Sequence, residues 1–144
     1  MTSPGLRAES QRIQMQFTYS NPSNKSDFIT ITNAHLDSGK WANNVLCDET
    51  QNFPNGVIID ELHKGVTVLS CGRENALAGA VGYLHLADSN YNDIYEVKFS
   101  IPYIGSDTFE LIQIQDSDIM CVQKNRNLNS MLRSGFDKII TCRA

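Results

Sequence analysis

Hydrophobic and polar residues alternate along much of this chain. Ile13, Met15, Phe17 and Tyr19 take turns with Arg12, Gln14, Gln16 and Thr18, the period of two expected of a strand that buries one face. Asn21-Pro22-Ser23-Asn24 breaks that run, and a second, β-branched run over residues 28–32 ends at the polar stretch Asp37-Ser38-Gly39-Lys40. Pro54-Asn55-Gly56 marks a tight turn flanked by strands, because Asn-Gly supplies the positive φ angles such a turn demands. Residues 66–71 and 83–87 read as two further strands, separated by a segment whose Gly72, Gly79 and Gly82 permit bends or close backbone approach. Tyr95, Val97, Phe99 and Ile101 then alternate with Glu96, Lys98 and Ser100 until Pro102 ends the run, and residues 109–115, 119–123 and 138–142 complete the set.

These runs make about eight or nine short strands, with turn signals at the spacing of a β-sandwich and no convincing helical period. The pattern predicts an all-β, antiparallel sandwich formed by one domain over residues 11–144, preceded by a loose arm, residues 1–10, that carries Pro4 and Gly5. Ile13, Phe17, Val97, Phe99 and Ile101 face its core, because a one-residue slip would turn every apolar side chain of a strand into water.

Composition narrows the function. An apolar fraction of 41% over 144 residues is enough for a packed core. Twelve lysines and arginines stand against 16 acids, a net charge of -4, so no broad cationic face is available for a nucleic-acid backbone. The same sign removes adhesion to anionic membranes by charge alone; membrane contact would have to come from aromatic insertion or recognition of particular head groups. The opening MTSPGLRAESQRIQ lacks the apolar centre of a secretory signal, and no run reaches the roughly 18 to 20 apolar residues of a membrane span. A soluble protein released by a non-classical route is the expectation. Cys47, Cys71, Cys121 and Cys142 allow three pairings, are too sparse for a disulfide scaffold, and leave their redox state open.

Catalytic chemistry is not legible. His35, His63 and His85 lie far apart and none has a second ligand at metal-binding spacing. Asp116-Ser117-Asp118 starts like a calcium loop but lacks the glycine and distal glutamate, which reads as a solvated turn. No nucleophile elbow, phosphate loop or dinucleotide fingerprint occurs, so neither an enzyme nor a cofactor is expected. Asn24-Lys25-Ser26 fits the glycosylation sequon, read here as chance. The aromatic residues off the core pattern carry more. Trp41, the sole tryptophan, follows the loop-like Ser38-Gly39-Lys40, and Tyr103 follows Pro102 at a strand end; both suit a bilayer interface, the plainer alternative being the core, which for Trp41 weighs evenly against it. Tyr91 and Tyr95 read as structural, Tyr95 because it keeps the inward alternation.

The segment from Cys71-Gly72-Arg73 through Gly79 to Gly82 resembles the central signature of the aegerolysin family, in which a strand ends in Cys-Gly-Arg and a Gly-x-x-Gly turn leads into the next. Ile31-Thr32-Asn33 with Gly39-Lys40 is similar to the family's early strand and Gly-Lys loop, and Pro102-Tyr103-Ile104-Gly105-Ser106 resembles its Pro-Trp-Gly-Ser motif. The resemblance spans residues 28 to 110, with departures: Ser38 and Tyr103 stand where the family has tryptophan, Ile104 lengthens the second loop, and Ala78 replaces an acidic residue of fungal members. It implies an actinoporin-like sandwich, a monomer or homodimer, that recognises membrane lipid head groups of the sphingolipid type. It also implies a larger partner of the perforin type, the pair acting as a cytolytic or insecticidal pore former at the target membrane. Trp41, Tyr103 and Lys40, with Tyr91, are the residues expected to meet lipid, on loops at one end of the sandwich. A glycan- or protein-binding module without membrane activity is the alternative.

Overall fold

The computed structural model describes residues 11–73, 79–125 and 136–144. Ten strands follow one another in this part of the chain: β1 (Arg12–Ser20), β2 (Ile29–Ser38), β3 (Lys40–Ala42), β4 (Ile58–Ile59), β5 (Val66–Cys71), β6 (Ala80–Ala87), β7 (Asp93–Ile101), β8 (Thr108–Gln113), β9 (Met120–Asn125) and β10 (Phe136–Arg143). They form two five-stranded sheets, β3-β5-β1-β10-β9 and β4-β2-β6-β7-β8. The alternation decides the packing. Ile13, Met15 and Phe17 of β1 are fully buried and meet Leu84, Leu86, Val97, Phe99 and Ile101 of the second sheet in one core, and Tyr95 is buried with them. Burial of this kind contributes roughly 1.5 to 3 kcal/mol for each large apolar side chain.

Three expectations are corrected. The sandwich is not wholly antiparallel: β1 and β10 pair in parallel, from Ile13 opposite Phe136 to Ser20 opposite Arg143. Alternation records which face a residue takes, not the direction of its neighbour. The described residues hold ten strands, more than the pattern shows, because β3 and β4, three and two residues long, are too short to show a period. The Asn55-Gly56 segment is not the expected hairpin turn: Gly56 is at φ +85° but Asn55 is not at positive φ, and only β4 flanks it, its other side being a loop bridged to β3 through Ala42 and Glu49.

Gly39 carries the chain from the second sheet to the first. It adopts φ +99°, and a Cβ there would lie 2.8 Å from the Cys71 carbonyl oxygen, so both conformation and space require glycine. All four cysteines are paired. Cys47–Cys71 ties the loop after β3 to β5, and Cys121–Cys142 joins directly opposed residues of β9 and β10.

Candidate functional site

One end of the sandwich gathers most of the residues singled out from the sequence. Gly39 lies against both Cys71 and Gly79, and a Cβ on Gly79 would fall 1.8 Å from the Ile101 carbonyl oxygen. The ends of β2, β5 and β7 and the start of β6 therefore meet there, backbone against backbone. Gly82 serves the same purpose one turn of the pleat further in, where a Cβ would lie 2.2 Å from the His35 carbonyl oxygen. Gly72 is buried and donates its N–H to Gln11 at 2.9 Å. Arg73 is exposed and forks onto Glu49 through two bonds of 2.9 and 2.8 Å. That bidentate bond holds the Glu49 carboxyl below its ordinary range and the guanidinium above its own. Cys71, Gly72, Arg73, Gly79 and Gly82 are thus scaffold: they fix the end of the sandwich. Residues 74–78, including Ala78, lie outside the described part of the chain, as does the arm over residues 1–10.

Lys40 is half-buried at the first position of β3, opposite Cys71. Tyr103, half-buried, follows β7 at the same end, and the next residue, Ile104, is 84% exposed. Trp41 is not on a loop. It lies within β3, 3% exposed, with its ring edge-on to Phe53 at 6.4 Å and Phe99 at 6.2 Å between centroids. Among the described residues its buried indole N–H has no hydrogen-bond partner. Two shallow cavities of about 270 and 330 Å³ meet at Trp41, Thr50 and Phe53. Tyr91 is 66% exposed, but it occupies the β6–β7 turn, at φ +64° and edge-on to Phe28. Since Ala80 pairs with Ile101 and Ala87 with Asp93, Tyr91 stands at the opposite end from Tyr103, on the order of 25 Å away along β7. The four aromatic and cationic candidates do not share one end.

Sequence reasoning also missed a cluster on the outer face of the second sheet. His85 lies between two carboxylates, Nδ1 at 2.9 Å from Asp93 and Nε2 at 3.1 Å from Glu96. Asp93 also accepts bonds from Thr32 at 2.6 Å and Asn33 at 2.7 Å. Burial raises the Asp93 carboxyl, but the bonds from Thr32, His85 and Asn33 outweigh it and leave the group below its ordinary range. The only clue was outward placement of alternate residues on three strands whose pairing the sequence does not state. Among the described residues no three His, Cys, Asp or Glu side chains are grouped to hold a metal ion. Asp116-Ser117-Asp118 forms a turn in which Ser117 accepts the Ile119 N–H, and Asn24 closes a similar turn onto Ser26.

The aegerolysin family model matches residues 14–131. The chain belongs to the aegerolysin family. The aegerolysin fold recurs in solved structures. IP-1A from Alcaligenes faecalis is 24% identical, with a TM-score of 0.78 over 99% of this chain and 96% of its own. RahU, solved with a Tris molecule, is 18% identical with a TM-score of 0.72, covering 94% and 95%. The lipid-binding protein Nakanori is 9% identical with a TM-score of 0.55, covering 92% of this aegerolysin and 69% of itself. No curated protein matches the sequence.

Proposed function

We propose that this aegerolysin recognises membrane lipids with the end of the sandwich built around Gly39. In this reading it is the recognition half of a two-component cytolysin whose larger, perforin-type partner forms the pore. The observation that carries the proposal is the adjacent pair at that end, half-buried Tyr103 beside 84% exposed Ile104, set near Lys40 on a scaffold of glycines and a disulfide. An aromatic ring and an aliphatic tip flanked by a lysine suit the interfacial zone of a bilayer. Trp41 braces this end from within the core, and Tyr91, at the far end, takes no part. The head group is of the sphingolipid type, the sandwich is actinoporin-like in shape, and the chain acts as a monomer or homodimer. Two disulfides fit a protein that works outside the reducing cytosol, at the surface of a target cell, after non-classical release. The role is binding, not catalysis.

Sedimentation with vesicles that differ only in head group tests the reading. Binding to vesicles of sphingomyelin with cholesterol or of ceramide phosphoethanolamine is expected, and Tyr103→Ala with Ile104→Ser should weaken it about tenfold, the effect of losing one or two interfacial side chains. Absence of binding to every vesicle would overturn it.

A further inference from the structure

We infer that Val45 and Leu46 form a second aliphatic membrane anchor, latched by the Cys47–Cys71 disulfide beside the Gly39 end; the inference rests on the lipid-binding reading above. These adjacent residues are 57% and 76% exposed. Their neighbour Cys47 is 2% exposed and packs with Leu69, Cys71 and Ala42 in a small cluster separate from the main core. The loop thus buries its cysteine and turns two aliphatic side chains outward.

The loop holds itself in that form. Asn43 N–H bonds to Asp48 O at 2.8 Å and Cys47 N–H to Asn44 O at 2.8 Å, while the Asn44 side chain accepts the Leu46 N–H and donates to Asp48, both at 2.9 Å. Cys47 takes a left-handed φ of 63°. A tip fixed in advance loses little freedom when it binds, which favours contact with a surface. Its position follows from its attachments. The disulfide holds it to Cys71, the residue against Gly39, and the Arg12 guanidinium donates to the Val45 carbonyl at 3.4 Å. Arg12 pairs with Cys71 in the sheet, as Lys40 does from the other side.

Charge selects the occupant. Among the described residues Arg12, Lys40 and Arg73 lie around Cys71, Arg73 bonded to Glu49, in a chain whose net charge is -4. Aliphatic tips beside cationic side chains fit a surface of phosphate-bearing head groups over a hydrocarbon layer. Ile104 projects from the other sheet at the same end, so two separate anchors flank the cations.

The test uses Leu46→Trp and, as control, Leu62→Trp at the opposite end, where Leu62 is 85% exposed beside Glu61, whose carboxylate accepts the Asn21 N–H just after β1. Each variant is mixed with vesicles of sphingomyelin and cholesterol, or of ceramide phosphoethanolamine, doped with brominated phosphatidylcholine. The emission added by Leu46→Trp should be quenched about twofold or more, as expected of a ring at hydrocarbon depth, while that added by Leu62→Trp stays unchanged. Leu46→Asp should weaken sedimentation about tenfold at an unchanged thermal midpoint. Vesicles that carry down the protein without quenching Leu46→Trp would overturn the second anchor and leave the lipid-binding reading standing. A protein that sediments with neither vesicle would end both. Emission that shifts with protein concentration in plain buffer would mark a contact between copies and also overturn the inference.

Discussion

A single methylene-sized space separates a scaffold residue from a useless one in this protein. Gly79 has its neighbour's carbonyl where a Cβ would stand, so Gly79→Ala must push two backbones apart. A loss on the order of 3 kcal/mol or more is expected in urea unfolding, the range of severe overpacking. Trp41 shows the other limit. Truncation to alanine should cost about 3 to 5 kcal/mol because the ring fills the core against Phe99, and that loss would make any weakened lipid binding by Trp41→Ala uninterpretable as a contact effect. Tyr103 was legible as a strand-end aromatic because Pro102 marks the boundary. For Trp41 the sequence left interface and core evenly balanced, since a three-residue strand between a glycine and two asparagines offers no alternation to decide between them.

Strands and loops are held by charges and covalent ties as well as by the core. Asp93 joins β2, β6 and β7 through Thr32, Asn33 and His85, and its folded carboxyl lies below the unfolded value of roughly 3.9. Its contribution is therefore present above about pH 4 and is lost as pH falls through the folded value. The thermal midpoint should drop between pH 5 and pH 2.5, and the drop should be smaller in Asp93→Asn; equal drops would show that this carboxylate is not the linkage. The Cys47–Cys71 bond closes 24 positions of chain. Replacing both cysteines by serine should cost about 3 to 4 kcal/mol on loop-closure grounds, readable as a lower urea midpoint. The alternating β1 and β7 were legible to within two residues of their ends and β5 to the residue, whereas β2 runs on to Ser38, past the reading at residue 32, because its bulges break the period, and β6 starts at Ala80, three residues before the reading. The cysteine pairing was not, because partners are set by sheet order, and sheet order is not written in a period of two.

For the whole molecule, the core that makes the sandwich stable also limits what it can do to a membrane. Drawing out β1 to line a pore would expose Ile13, Met15, Phe17 and Tyr19, each at roughly 1.5 to 3 kcal/mol. Dye release from vesicles of the preferred lipid should accordingly be slight with this chain alone and strong once a pore-forming partner is present. Comparable release by the single chain would remove the two-component reading. The layer architecture was legible from alternation and turn spacing; the parallel closure of first strand on last was not, because nothing local marks two segments more than a hundred residues apart as neighbours.

That closure has a practical side. Parallel pairing of β1 with β10 sends the first and last described residues to opposite poles: Gln11 leads into β1 at the Cys71 pole, whereas Ala144 donates to the Ser20 carbonyl at the other. A fluorescent protein fused behind Ala144 should ride on the outward side of a coated vesicle and leave its affinity unchanged. The same cargo placed ahead of Gln11 should wedge between the sandwich and the lipid and weaken sedimentation, so the order of fusion decides whether this chain can serve as a membrane stain.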